Sequence, residues 1–339
     1  MKVTAYEVAQ LAGVSRTTVS LVLNENTSVS ISEPTRKRVI EAAKKLSYGP
    51  FSAKHLSPRA PEYVAVMLPT LGNPFYPEAL NSVNGILRQF GYKTLLCCSD
   101  KSAERERTFL ESLNADSTKL ILYTYTPQSR QALRRVAQQI PVCVLGELNF
   151  PLNCFHAALD SVNAGYIVAK HLWDCGHRTF CFVSNGLRKI STSRQKRLEG
   201  VLAFLKEQQA EKNLFITTDE QEQDEFQTGF QQTLQALRMH PHITAVIGVN
   251  DITAIGAIHA IRNLGLSIPE QVAVVGFDNS MLAQHSIPQL SSVDHHLYDR
   301  ARLAISTILD DKRKLHSRKV IYEPTLILRE SSCTTPAEM

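Results

Sequence analysis

Long apolar runs are missing from this 339-residue chain. No stretch approaches the roughly 20 apolar residues that a membrane-crossing helix needs, so a helical membrane protein is not expected. The opening MKVTAYEVAQ also lacks the apolar core of a signal peptide, which predicts a protein that stays in the cytosol. Catalytic signatures are equally scarce: there is no phosphate loop of the G-x-x-x-x-G-K form, no H-E-x-x-H, no G-x-S-x-G and no C-x-x-C pair. An enzyme is therefore not expected, and neither a cofactor nor a metal is called for. The cysteines (Cys97, Cys98, Cys143, Cys154, Cys175, Cys181 and Cys333) are odd in number and lack paired metal spacing. Most lie in apolar, strand-like runs, which points to buried reduced thiols. The last residues, ESSCTTPAEM, contain no leucine heptads, so a terminal coiled coil that would build tetramers is not predicted.

What is present is unevenly distributed. Of 37 basic and 32 acidic residues, nine and four fall within residues 1–60, leaving 28 of each for the remainder. The whole surplus of +5 thus sits in a small head on an electrically neutral body. Such a head suits a polyanion, and the body must do something else. With 43% hydrophobic residues the chain can bury more than one core, so two or three domains are expected.

The head reads as three short helices. Thr4 followed by Glu7 is a capping-box spacing ahead of Val8, Leu11 and Ala12. Gly13 ends that helix cheaply because it tolerates positive φ, and Ser15 can cap a second helix, RTTVSLVLN. There Val19, Val22 and Leu23 would face inward and Arg16, Thr17 and Ser20 outward. Ser32 and Pro34 open a third helix, TRKRVIEAAKKLS, with Val39, Ala42, Ala43 and Leu46 as its buried face. Three helices around a tiny core make a helix-turn-helix unit, although an ordinary helical hairpin shows the same pattern. A helix fits the DNA major groove, where side chains at its amino end reach base edges and small hydroxyls bind phosphate.

The runs TAYEVAQLAGVSRTTVSLVLNEN and VSISEPTRKRVIEAAKKLSYGP closely resemble the amino-terminal domain of the lac-repressor (LacI/GalR) family of bacterial transcription regulators. The resemblance implies that Arg16 and Thr17 read bases while Ser15, Thr18 and Asn24 hold the phosphate backbone, with Thr4, Ser20 and Leu21 completing the DNA-facing set. Leu21 stands where relatives often carry a polar base-contacting residue; it offers only apolar contact, for example to a thymine methyl, so the operator should differ at that step. The segment GPFSAKHLSPRAP resembles the family hinge, whose leucine wedges into the minor groove, and Ala53 and Leu56 match its pattern. It also departs from it, since Phe51 directly follows Pro50. A plain interdomain linker is the alternative.

From Tyr63 the pattern becomes strand, loop, helix, strand, and a second such unit begins near Arg178. The runs YVAVMLP, KTLLCCSD, LILYTY, PVCVLG, TFCFVSN, NLFITTD, AVIGVN and VAVVGFD alternate with amphipathic helices, as in parallel sheets covered on both faces. Two doubly wound lobes of this kind would enclose a small molecule at the carboxyl ends of their strands. The segments NPFY, GHR, RLEG, ND, VVGFDN and IPQLSSV resemble signposts of the same family. That implies an α/β fold: a helix-turn-helix head at 1–48, a hinge or linker at 49–61, a periplasmic-binding-protein-like two-lobed core at 62–330 and a tail at 331–339. The chain would cross between lobes near residues 160, 290 and 320.

The resemblance carries effector contacts onto Phe75, Ser193, Arg197, Asn250 and Asp278, with Tyr123 standing where some relatives place an amide. A guanidinium can fork onto hydroxyl, carboxylate or phosphate oxygens, and a carboxylate can accept two sugar hydroxyls. Helix capping by Asp278 and an interlobe ion pair at Arg197 are the alternatives, and Asn250 and Asp251 together could equally cap the helix that follows them, the reading preferred for Asp251. Gly146 occurs where a strand-ending carboxylate is common in relatives, Glu147 follows it, and the stretch around Asp224 and Phe226 obscures an aromatic plate that relatives often supply. A phosphorylated sugar, a hexuronate-like acid and a nucleoside stay open as ligands. Asp294, His295 and His296 are the nearest thing to a metal or acid–base cluster, but interlobe hydrogen bonds or a solvated loop are expected there.

The function expected is an effector-controlled regulator, a repressor by family habit, that binds an operator in double-stranded DNA. One head covers only a few base pairs, so two-fold pairing into a homodimer is expected. A sugar-transport binding protein would have the same lobes, but it should lack the basic head and carry an export signal.

Overall fold

The computed structural model describes residues 3–23, 31–48, 61–185, 192–219, 224–310 and 317–333. The chain divides into two compact units, Met1–Pro61 and Glu62–Met339.

The first unit holds helices α1 (Ala5–Ala12), α2 (Arg16–Leu23) and α3 (Glu33–Lys45). Glu7 accepts the Thr4 backbone N–H at 2.7 Å, and Gly13 closes α1 in the left-handed region at φ 64°. The Thr18 N–H donates to Ser15 Oγ at 3.0 Å, which caps α2. α3 starts two residues earlier than the sequence pattern suggests, because Ser32 takes the N-cap position and Pro34 falls in the first turn. Val8, Ala9, Ala12, Val19, Val22, Val39, Ala42 and Ala43 make the buried core, with Leu23 and Leu46 partly buried at its edge. Leu11 is 48% exposed and lies outside that core.

The second unit contains two six-stranded sheets. One lobe orders its strands β11-β5-β4-β3-β1-β2, all parallel, from β1 (Tyr63–Leu68), β2 (Lys93–Cys98), β3 (Thr118–Tyr123), β4 (Val142–Val144), β5 (Phe155–Leu159) and β11 (Arg318–Tyr322). The other orders β12-β10-β9-β8-β6-β7, from β6 (Phe180–Asn185), β7 (Leu214–Asp219), β8 (Ala245–Gly248), β9 (Ala273–Phe277), β10 (Ser291–Asp294) and β12 (Thr325–Ile327). Among the described strands only β12 runs antiparallel, against β10. β1, β4, β5, β6, β8 and β9 are apolar runs because helices cover both of their faces. The first lobe is flanked by α4 (Phe75–Gln89), α5 (Ala103–Ser112), α6 (Arg130–Val136) and α12 (Leu297–Asp310). The second is flanked by α7 (Ser161–Asp174), α8 (Thr192–Glu207), α9 (Glu225–Met239), α10 (Asp251–Asn263) and the short α11 (Met281–His285). Each lobe has an apolar core on either side of its sheet.

The chain passes between lobes after β5, after β10 and between β11 and β12. Helix α8 lies against α7 through facing glycines: a Cβ on Gly165 would come 1.8 Å from the Arg197 carbonyl oxygen, and one on Gly200 would come 1.8 Å from that of Val162. That close approach sets the depth at which Arg197 enters the interlobe space. Ser331 and Ser332, expected in the tail, are instead buried; the Ser331 hydroxyl donates to the Val274 carbonyl at 2.6 Å and its N–H to that of Gln289 at 3.1 Å. The body therefore continues past residue 330, because these residues extend the pairing beside β9. All seven cysteines are free thiols, four of them buried. Among the described residues no helix is long and apolar enough to cross a membrane.

Candidate functional site

In the head, Arg16, Thr17 and Ser20 lie on the exposed face of α2 opposite Val19 and Val22, and Leu21 is half-buried. Ser15 and Thr18 pair their hydroxyls at 2.9 Å at the start of the same helix, and Thr4 is exposed at the start of α1. Asn24, Ala53 and Leu56 lie outside the described residues.

In the body, a cavity of about 120 Å³ opens between the lobes at the carboxyl ends of the strands. That is many times the ~10–15 Å³ needed for one water. Phe75, Ser193, Arg197, Asn250 and Asp278 all line it. Tyr123 does not. Its side chain points into the core beside α5, where its hydroxyl donates to Glu106 at 3.1 Å; Tyr125, past the end of β3, lines the cavity in its place. Both faces of β3 are covered, Leu120 and Leu122 on one side and Ile121 and Tyr123 on the other, so only residues beyond the strand end reach the cleft; the Tyr125 hydroxyl itself donates to Glu106 at 2.7 Å.

Arg197 is buried and fixed. It donates to the Val249 carbonyl and, at 2.9 Å, to His295 Nε2, while its guanidinium carbon sits 4.6 Å from the centre of the Phe277 ring. Burial, then the Arg197 charge, push the His295 imidazole well below its ordinary range, so the ring is neutral and free to accept. The Phe75 ring meets His295 edge-on at 5.5 Å. The Asp278 carboxylate stands 4.0 Å from Arg197 and 3.7 Å from His295. Burial, reinforced by the nearby Asp251 charge, pushes its carboxyl well above the ordinary range despite Arg197. Asp278 caps no helix; Ser280 caps α11 by accepting the Ala283 N–H.

At the head of α10 the cap expected of Asp251 falls to its neighbour, which also keeps its place on the cavity wall. Asn250, not Asp251, is the cap: its Oδ1 accepts the Thr253 N–H at 3.0 Å. Asp251 instead accepts the Ser280 N–H and hydroxyl, both at 2.8 Å, and the Ser292 hydroxyl, which ties α10 to the turns beside β9 and β10. Its carboxylate is turned back under the sheet by these donors, so it cannot reach the open helix end.

Several cleft residues carry no signal in the sequence patterns. Arg194, one turn before Arg197, binds Asn185 and forms an ion pair with Glu225. Glu225 also accepts from Asn73 Nδ2 and Asn250 Nδ2, each at 2.7 Å. Burial alone would raise the Glu225 carboxyl, but Arg194, the Asn250 amide and Lys101 draw it down to about 2. Asn73 belongs to one lobe and Glu225 to the other, so this bond bridges the cleft. Two more bridges flank it: Lys196 to Glu147 at 2.7 Å, and the Met281 N–H to Glu78 at about 3.1 Å. Gly146 is demanded by packing, since a Cβ there would lie 2.5 Å from the Tyr125 backbone. His295 and Asp294 serve interlobe and turn hydrogen bonds, with His296 Nε2 paired to the Thr325 hydroxyl at 3.0 Å. Among the described residues no group of three or more His, Cys, Asp or Glu could hold a metal ion.

Residues 4–50 match the family described as bacterial regulatory proteins, lacI family, and residues 169–332 match a periplasmic binding protein-like domain. The HTH-type transcriptional repressor PurR of Histophilus somni is 30% identical over 340 residues, spanning 97% of this chain and 98% of that protein. Among solved structures, the lac repressor dimer bound to operator and the anti-inducer ONPF shares the fold with a TM-score of 0.72 at 22% identity, covering 98% of this chain and 100% of that one. A LacI family transcriptional regulator from Enterococcus faecium with bound ribose gives 0.70 at 20% identity, covering 81% and 100%.

Proposed function

The chain belongs to the LacI family of bacterial transcriptional regulators, and from that premise we propose that it works as a homodimeric repressor whose hold on a palindromic operator is set by a sugar or sugar derivative between its lobes. The observation that carries the ligand reading is the Asp278 carboxylate. Its side chain, 7% exposed, stands on the cavity wall beside Arg197 and His295, and no hydrogen bond from the described residues reaches it. Buried carboxylates ordinarily have donors, and a ligand with adjacent hydroxyls would supply them. Phe75 offers an apolar edge for a sugar ring, and Ser193, Arg197 and Asn250 line the same space.

In the head, Arg16 and Thr17 read bases, with Thr4, Ser15, Thr18, Ser20 and Leu21 against the duplex; Asn24, Ala53 and Leu56 complete the set, the last two from the hinge at 49–61. Pairing of two copies is supported by apolar side chains left exposed on both lobes: Leu95 (36%) and Leu96 (40%) on the edge strand β2, and Met281 (56%) and Ile287 (73%) around α11. A ligand that favours one lobe arrangement changes the spacing of the two hinges and hence the affinity for DNA; by linkage, DNA changes the affinity for ligand by the same factor.

The test joins both halves. A thermal-shift screen of neutral sugars, sugar phosphates, sugar acids and nucleosides finds the ligand, since binding to the native state raises its melting point. An operator selected from random DNA then reports on regulation. Asp278→Ala should abolish the ligand response and spare operator binding, and an unchanged dose response overturns the cleft assignment. Arg16→Ala should weaken operator binding far more than binding to random DNA, whereas equal losses remove the base-reading role.

A further inference from the structure

Three polar side chains from separate segments converge on one point of the cleft. Asn73 follows β1, Arg194 lies in the first turns of α8, and Asn250 follows β8. Each is oriented by a partner of its own: Asn73 Oδ1 takes the Phe75 N–H at 3.0 Å, Asn250 Oδ1 takes the Thr253 N–H at 3.0 Å, and Arg194 Nη1 donates to Asn185. The two amide groups and the outer guanidinium nitrogen are thereby aimed into the cavity by the backbone, and their direction does not depend on what they hold. A charged fork flanked by amide donors is a carboxylate receptor, and Lys101 lines the same cavity. Its occupant here is the chain's own Glu225, at the first position of α9, which takes both amides on Oε2 and Arg194 on Oε1.

We propose that Asn73, Arg194 and Asn250 form a carboxylate subsite that Glu225 fills as a built-in occupant, latching the lobes until a small hydroxy acid, such as a sugar acid, displaces it. The acid group would take the cradle while hydroxyls on the same molecule reach Asp278 and Arg197, which line the same cavity. The choice of a sugar acid rests on the cleft ligand proposed above; the cradle and the latch do not. Leaving requires rotation of one glutamate side chain, because the donors stay where their own partners hold them. Losing Glu225 also breaks the Asn73 bridge, so that displacement hands the contact between the lobes from the chain's own carboxylate to the ligand's.

Chemical rescue tests the cradle without DNA or a known effector. The full-length Glu225→Ala protein should melt several degrees below wild type, and sodium acetate or formate should restore that loss saturably while sodium chloride at equal ionic strength does not. Adding Arg194→Met to Glu225→Ala should remove the rescue. Glu225→Gln keeps the shape and weakens the competitor, so D-gluconate should bind it with a half-saturating concentration about tenfold lower than wild type, while D-glucose is unaffected. Deuterium exchange at residues 70–76 should rise in Glu225→Ala and fall again with acetate. Acetate acting no better than chloride on Glu225→Ala overturns the subsite. Equal gluconate binding by wild type and Glu225→Gln overturns the displacement. A regulator that answers only to neutral sugars through Asp278, with acetate rescue intact, removes the acid as ligand and leaves the cradle standing.

Discussion

Two carboxylates a few residues' reach apart in the cleft titrate in opposite senses. Asp278 binds its proton more tightly folded than unfolded, because burial and Asp251 penalise the charge. Its contribution to stability is therefore present below the unfolded value of about 3.9 and is lost as pH rises toward the folded one. Asp278→Asn, neutral at every pH, should accordingly raise the melting temperature of the ligand-free protein near neutrality by roughly 2–4 °C, as measured calorimetrically. A lowered melting temperature would show that the charge is already compensated. Glu225 behaves the other way, since Arg194, the Asn250 amide and Lys101 outweigh the burial that opposes them and bring its carboxyl to about 2. The stability it supplies is present above the unfolded value of about 4.3 and is lost as pH falls toward 2. Glu225→Gln should flatten the acid limb of a stability–pH profile over that window; an unaltered limb would show that other groups carry it. Phe75, Ser193, Arg197, Asn250 and Asp278 were legible because they sit in recognisable sequence segments. Arg194 and Glu225 were not, because nothing local marks a residue whose partner lies dozens of positions away, whereas the interlobe hydrogen bond expected of the His295 cluster is the one to Arg197.

At the scale of elements, the apolar spacing of α8 is carried by RLEGVLAFLKEQQ from Arg197 onward, whereas the helix starts at Thr192. Those added turns carry Ser193, Arg194 and Lys196, polar residues that an amphipathic pattern cannot register because they face a cleft and not a core. Helix spacing then places Arg194, Arg197 and Gly200 along one face, with Gly200 packed on α7. Gly165→Ala should be costly for the same reason. Its Cβ would meet the Arg197 carbonyl oxygen at 1.8 Å, so the helices must part, at about 1–3 kcal/mol, and Arg197 must retreat. Weaker ligand response together with a lower denaturation midpoint is the expected pairing; wild-type behaviour in both would mean that α7 yields freely. In the head, the small turn chemistry read from Thr4, Glu7, Gly13 and Ser15 recurs as caps. Ser15→Ala should destabilise that unit by about 1 kcal/mol, seen as earlier loss of helix signal from the head, and an unchanged midpoint would assign Ser15 to DNA alone.

For the whole molecule, charge separates the tasks. The head's surplus predicts that binding to arbitrary DNA falls by a factor on the order of 10³ between 50 and 200 mM salt for a dimer making several phosphate contacts. Near-constant affinity across that range would show that the basic residues do not meet phosphate. Composition and periodicity determined a basic trihelical head, a neutral body of two α/β lobes and the absence of familiar catalytic motifs, because burial patterns and charge are properties of neighbouring residues along the chain. The family resemblance, and not composition or periodicity, carried Phe75, Ser193, Arg197, Asn250 and Asp278 onto the cavity wall. Tertiary structure decided the rest. It turned the Tyr123 and Tyr125 hydroxyls together onto Glu106, gave the cap to Asn250 and the turn to Asp251, and joined Asn73 to Glu225 across the cleft. Those outcomes depend on which side chains from distant segments compete for the same donors and the same space, and such competition exists only once the lobes have closed around it.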